Sequence, residues 1–181
     1  GILPRLVVVH GISLPPGEFG GPWIDHLFTN RLDATRHPYF AEIAGLTVSA
    51  HLLIRRDGEI VQYVPFDLRA WHAGRSCYQG EENCNDFSIG IELEGTDEQP
   101  YAEVQYHVLA RVMRALNGHY PDTVGHLAGH SDIAPGRKTD PGPGFDWGRL
   151  RGLLRTVEGK GVSRPFSCGG WGCARADLVV T

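Results

Sequence analysis

The segment GHSDIAPGRKTDPGP, residues 129–143, places His130, Lys138 and Asp140 within one short stretch dense in glycine and proline. An imidazole, an ammonium and a carboxylate this close can bind a cation and stabilise negative charge beside it. Far upstream, the apolar run RLVVVH delivers His10 at an expected strand end. Two imidazoles and a carboxylate suffice to hold one Zn2+ and leave a coordination position open for water. His10, His130 and Asp140 are therefore the candidate metal ligands of a hydrolytic site, and Zn2+ the expected cofactor. Such an ion lowers the pKa of its water and polarises a substrate carbonyl.

Glu92 lies in the middle of the apolar segment FSIGIELEG, where a carboxylate demands an explanation. It is the candidate general base, taking a proton from water and returning it to a leaving amine. Lys138 precedes Asp140 by two residues, so in an extended segment both side chains point the same way. Its ammonium would stabilise the oxyanion of a tetrahedral intermediate. Trp71, His72 and Arg137 are candidates for the substrate pocket. The indole offers an apolar plate for a sugar or peptide stem, and the guanidinium a planar fork for a carboxylate.

Each of these residues also has a plainer reading. Glu92 or Glu94 could serve only as a salt-bridge partner, Arg137 could sit in solvent on the rim, and Trp71 could pack against the sheet. His51 either faces the site or bonds to a neighbouring loop. His26, His37, His107, His119 and His126 read as structural or exposed.

The elements that must position these groups are legible from periodicity. Leu6 to Val9 is a continuous apolar run, as in a strand buried on both faces. Pro22 suits the first turn of a helix over 23–31, and a second short helix is expected at 39–43. Residues 47–64 predict a hairpin around Asp57-Gly58 with a type I′ turn, with Ser49, His51 and Leu53 on one face. Residues 69–85 read as a long irregular loop which, with the loop at 11–22, is expected to close over the site. In residues 87–95, Ile89, Ile91 and Leu93 share one face, and Gly90, Glu92 and Glu94 the other. Pro100 opens a helix whose apolar positions are Val104, Val108, Leu109, Val112 and Leu116, with Asn117-Gly118 as its stop. Asp146 is the expected cap of a last helix, 147–155. The order gives an α/β (mixed α+β) fold, a central mixed sheet flanked by helices.

A chain of 181 residues fits one domain with a single sizeable core. The formal net charge of −4 argues against a general nucleic-acid binder. No apolar run is long enough to span a bilayer, so no membrane partner is expected. No basic start followed by an apolar stretch and a small-residue cleavage site is visible, so no secretory signal is read. Cys77, Cys84, Cys168 and Cys173 read as free thiols, with a Cys77 to Cys84 bridge left open. Residues 158–181 show no periodicity and are read as a C-terminal tail of unknown role beyond a domain at 1–157.

The blocks VVVHGISLPPGEFGGPWIDHLF, VSAHLLIRRDGEIVQYVPFDLRAWHAG, CNDFSIGIELEGTD and GHSDIAPGRKTDPGPGFDW resemble the amidase_2 family of N-acetylmuramoyl-L-alanine amidases, related to peptidoglycan recognition proteins. The resemblance spans roughly residues 6–155. It implies a mixed sheet flanked by helices, with zinc ligands at His10, His130 and Asp140. It also implies a catalytic glutamate at Glu92 and a transition-state lysine at Lys138. The implied reaction is hydrolysis of the amide between the lactyl group of the muramic sugar and L-alanine. The implied substrate is a small soluble anhydro-muropeptide, met by a monomer in the cytoplasm. Gly11 departs from the family, in which an asparagine commonly follows the first histidine. Two other readings are a non-catalytic peptidoglycan-binding module on the same fold and an exported wall-degrading amidase.

Overall fold

The computed structural model describes residues 1–156. The expectations for Cys168, Cys173 and the tail at 158–181 lie outside the described residues. Strand β1 (Leu6–Ile12) is followed by helices α1 (Trp23–Phe28) and α2 (Pro38–Ile43). The hairpin strands β2 (Leu52–Ile54) and β3 (Ile60–Gln62) come next. A small ribbon, β4 (Cys77–Tyr78) and β5 (Glu81–Glu82), precedes β6 (Ser88–Glu94). Helix α3 (Glu103–His119), β7 (Leu127–Gly129), α4 (His130–Ile133) and α5 (Trp147–Arg155) complete the fold.

The main sheet has the order β3-β2-β6-β1-β7. Strand β1 runs parallel to both β6 and β7, β2 runs parallel to β6, and β3 is antiparallel to β2. The sheet is therefore mixed, as the sequence implies. Its centre is hydrophobic on one face: Val7, Val9, Ile89, Ile91 and Leu93 pack against Leu109, Met113, Leu116 and Leu150 of α3 and α5. The opposite face is divided. Leu53 packs with Ile24, Leu27, Phe28 and Phe40 of α1 and α2. Leu6 and Val8 pack with Ala73, Cys84, Phe87 and Ile133. Between these two clusters the side chains of His10 and Glu92 emerge, with Gly90 on the same face, because alternation places them opposite the apolar set.

Several local expectations are corrected. Helix α1 ends at Phe28 rather than residue 31, with Asn30 in the left-handed region at φ 55°. The hairpin turn is not type I′: Gly58 has positive φ and Asp57 does not. Gly58 N–H donates to Arg55 O and Arg55 N–H to Glu59 O, at 2.9 Å each. That pattern is a three-residue loop with a glycine bulge. Helix α3 runs through Asn117-Gly118 to His119, and its buried stripe is Gln105, Tyr106, Leu109, Ala110, Met113 and Leu116. Val104 is 39% exposed. It lies over the hairpin turn, near enough that a β-carbon on Gly58 would touch it. Gln105, not anticipated as a core residue, bonds the carbonyls of Ile54 and Glu94 and so ties α3 to β2 and β6. Asp146 caps α5 as expected, accepting from Arg149 N–H at 2.8 Å. Cys77 is an exposed thiol and Cys84 a buried one, with no bridge between them.

Candidate metal centre and active site

His10 ends the apolar part of β1, and His130 directly follows Gly129, the last residue of β7. Val9 is the register partner of Gly129, so the two histidines project from the same ends of adjacent parallel strands. Open sheets of this kind bind ligands outside the carboxyl ends of their strands. Asp140 arrives from the loop after α4. Its carbonyl accepts from Ser131 N–H at 3.0 Å, and Tyr101 O–H donates to the next carbonyl, Pro141 O, at 3.0 Å.

His10 Nδ1 lies 3.0 Å from His130 Nδ1 and 3.3 Å from Asp140 Oδ2. His130 Nδ1 lies 3.1 Å from the same carboxylate oxygen. Both imidazoles are buried. His130 Nε2 faces Ala73 O at 3.2 Å, a partner that can only accept. Its proton therefore sits on Nε2, and Nδ1 presents a lone pair to the cluster. Three mutually close donor atoms form a site able to hold a metal ion. A tetrahedral zinc with bonds of about 2.0–2.2 Å places its ligands about 3.3–3.6 Å apart. The observed spacings are slightly tighter than that edge, so the residues fit the ion.

Electrostatics follow burial. His10 is pulled down to about 4 by burial, with Asp140 opposing and the neighbouring His130 and Lys138 reinforcing the shift. Burial works against the Asp140 carboxylate, yet its close approach to the His10 and His130 rings outweighs it and holds the group below its ordinary range. Glu92 is pushed well above the usual carboxylate range, by burial first and by Asp140 second, with Lys138 opposing. Its Oε2 is buried with no hydrogen-bond partner among the described residues.

Glu92 is the register partner of His10 and shares its face. The salt-bridge role belongs instead to Glu94, whose carboxylate lies 3.6 Å from Arg55 and accepts from Gly20 N–H and Arg56 N–H. A cleft of about 560 Å³ opens over these groups. His10, Glu92, His130, Lys138 and Asp140 line one part; Leu27, Phe28, Tyr39, Ile43, Leu46 and Val48 form an apolar wall. Lys138 is exposed on the rim.

The three expected pocket residues part company. Trp71 lines the cleft, 57% exposed, with the Arg69 guanidinium 3.8 Å from its ring centroid. His72 reaches the cleft from beneath, buried, with both ring nitrogens engaged by protein groups. Arg137 does not line it. Its Nη2 donates to Ala73 O and Arg75 O, at 2.6 and 2.7 Å, and its Nε also to Arg75 O, which turns the guanidinium toward the 73–75 backbone. His51 bonds a loop, facing Leu68 O at 2.9 Å. The 69–85 segment forms a wall of the site: Asn85 Oδ1 accepts from His72 N–H and Ala73 N–H at 3.0 and 2.8 Å. Sequence reasoning missed Asn85, Ser88 and Tyr101. None carries a spacing signal, and each acts by reaching a segment distant along the chain.

A mixed sheet with paired imidazoles and a carboxylate at its strand ends, flanked by a buried unpartnered glutamate, is a candidate metal-hydrolase site. Residues 2–143 match the Amidase_2 family, N-acetylmuramoyl-L-alanine amidase. The chain belongs to this family and is an enzyme of the amidase class. It is 70% identical over 151 residues to the 1,6-anhydro-N-acetylmuramyl-L-alanine amidase AmpD of Escherichia coli (strain K12), covering 83% of this chain and 82% of that protein. A crystal structure of a selenomethionine derivative of AmpD matches with a TM-score of 0.83 at 68% identity, covering 83% of this chain and 84% of that one. The E. coli amidase AmiD, solved with the substrate anhydro-N-acetylmuramic acid-L-Ala-D-gamma-Glu-L-Lys, matches with a TM-score of 0.61 at 28% identity. That match covers 83% of this chain and 57% of AmiD. Among the described residues, no helix is long and apolar enough to cross a membrane.

Proposed function

We propose that this chain hydrolyses the amide between the lactyl group of (1,6-anhydro-)N-acetylmuramic acid and L-alanine in small muropeptides. We propose Zn2+ as its cofactor, held by His10, His130 and Asp140. The observation that carries this reading is the convergence of two imidazole Nδ1 atoms and one carboxylate oxygen at 3.0–3.3 Å. Three donor atoms grouped that closely can converge on a single cation. When bound, zinc supplies a Lewis acid that polarises the amide carbonyl and lowers the pKa of water.

The remaining work falls to the chain's own side chains. Glu92 lines the cleft, and its carboxylate makes no hydrogen bond to the described residues that would compete for the proton of the attacking water. Its raised affinity for protons suits a group that must keep that proton and deliver it to the departing amine. Lys138 brings an ammonium to the same cleft and offsets the charge of the tetrahedral oxyanion. Trp71 offers its indole face at the mouth, and the apolar wall behind it accepts the less polar surface of the substrate.

Residues 1–157 are taken as the catalytic unit, acting as a monomer on soluble substrate in the cytoplasm during wall recycling, with neither nucleic acid nor membrane as partner. Likeness to the AmpD amidases supports an anhydro-muropeptide as the substrate. The test is elemental analysis of the purified protein, joined to mass spectrometry of products from a defined anhydro-muropeptide and from intact sacculi. One equivalent of zinc and release of the free stem peptide from the soluble substrate are expected. Preferential turnover of sacculi would favour an exported wall-degrading amidase. Substrate binding without cleavage would favour a non-catalytic module.

A further inference from the structure

A line of hydrogen bonds runs behind the candidate metal centre, and its polarity is fixed from one end. Ser88 Oγ donates its single proton to Cys84 O at 2.5 Å. Toward His72 Nε2, 3.2 Å away, that oxygen can only accept. His72 therefore carries a proton on Nε2. Its ring partners are Ser88 and His10, neither of them anionic, and the side chain is buried, so a second proton would leave an uncompensated charge. His72 Nδ1 is then an acceptor. It lies 2.9 Å from His10 Nε2, which must donate. The lone pair of His10 is left on Nδ1, the atom that faces Asp140 and His130.

The line is built into the fold. Gly90 stands where a β-carbon would fall 2.4 Å from the His72 ring, so its missing side chain is the slot in which the ring lies. Asn85 anchors the backbone of His72 from the other side. We propose that His72, held by Ser88, is a positioning residue that sets the tautomer of His10 and so presents Nδ1 to the metal ion. The inference rests on the zinc reading above and assigns His72 to the ligand rather than to the substrate. Groups that orient ligating histidines in this way typically change metal affinity about 10–100-fold when removed.

The test is zinc affinity by chelator competition, together with the histidine tautomers of the zinc-loaded wild type by long-range 1H–15N NMR. The wild type is expected to show N–H at Nε2 of both His10 and His72. His72→Phe, which keeps a ring in the slot, is expected to weaken zinc binding about 10–100-fold. His72→Asn, which returns an acceptor close to the Nδ1 position, is expected to recover most of that loss. Ser88→Ala should act in the same direction by a smaller factor, and decides the matter with the wild-type spectrum if His72→Phe does not fold. A wild type that binds zinc with His10 protonated at Nδ1, or a folded His72→Phe with wild-type affinity, overturns this inference alone. A wild type that binds no zinc overturns the metal reading and this inference with it.

Discussion

His10 and Glu92 are register partners across the parallel strands β1 and β6, so a metal-ligating imidazole and an unpartnered buried carboxylate share one face of the sheet. The pairing separates two functions that mutation can dissociate. Glu92→Gln is expected to leave zinc stoichiometry unchanged and to lower kcat about 10²–10⁴-fold, the usual contribution of a general acid-base group. Because burial and Asp140 raise the Glu92 pKa, its stability contribution falls as the pH rises above the ordinary carboxylate value. The zinc-free Glu92→Gln protein should therefore be more stable than zinc-free wild type at neutral pH, by about 1–3 kcal/mol. Thermal unfolding at pH 7 and at pH 4 measures this, and the gain should shrink at the lower value. A variant equally active, or less stable at neutral pH, would contradict the role.

Asp140 contributes differently, as the anion shared by two imidazoles. Asp140→Asn keeps the shape but removes the charge that offsets a divalent cation. Zinc affinity should fall by more than about a hundredfold, since removing an outer partner already costs about 10–100-fold. Turnover should fall with it. Isothermal titration with zinc, run beside a muropeptide assay at saturating metal, distinguishes this from Glu92→Gln: excess zinc should partly rescue Asp140→Asn and not Glu92→Gln.

The pH dependence of folding has a marker outside the ligand set. His51 Nδ1 accepts from Gly90 N–H at 3.0 Å, and its Nε2 faces Leu68 O, so the neutral ring with its proton on Nε2 fits both partners. Burial lowers its pKa below the ordinary 6.5, although the bond to Leu68 opposes the shift. The unfolded chain then binds more protons as the pH falls, so the stability His51 contributes is full above about 6.5 and is lost toward the lower folded-state value. In zinc-free protein, the stability difference between wild type and His51→Gln should narrow between pH 7 and pH 5, at up to about 1.4 kcal/mol per pH unit. Urea titrations across that range measure it, and a constant or widening difference would rule the mechanism out.

The strands that carry chemistry were readable because their signal is local. The run at Leu6 to Val9 and the alternation around Glu92 each specify a face within a few residues, and the structure keeps both faces. Arg137 was misplaced because its fate depends on two carbonyls, Ala73 and Arg75, on a loop more than sixty residues away. The type I′ turn failed for a related reason: Asp57-Gly58 permits two hairpin loops, and the strand register, not the dipeptide, selects between them. His72 was visible as a residue but not as a partner of His10, since only the slot at Gly90 reveals which way its ring lies.

The same logic of missing side chains applies at Gly11. A β-carbon there would fall 2.1 Å from Tyr101 Oη, the hydroxyl that donates to Pro141 O beside Asp140. Gly11 thus leaves room for a tether that holds the metal-binding loop against β1. Gly11→Ala should displace the Tyr101 ring, break the tether and reduce both stability and zinc affinity. Tyr101→Phe removes only the hydroxyl, and losing that bond should cost about 0.5–1.5 kcal/mol. In the Tyr101→Phe background the atom that clashes is gone, so Gly11→Ala should cost less than it does in the wild type. A double-mutant cycle is expected to return a coupling of about 0.5–3 kcal/mol. Strict additivity of the two substitutions in thermal unfolding would show that the glycine serves some other end.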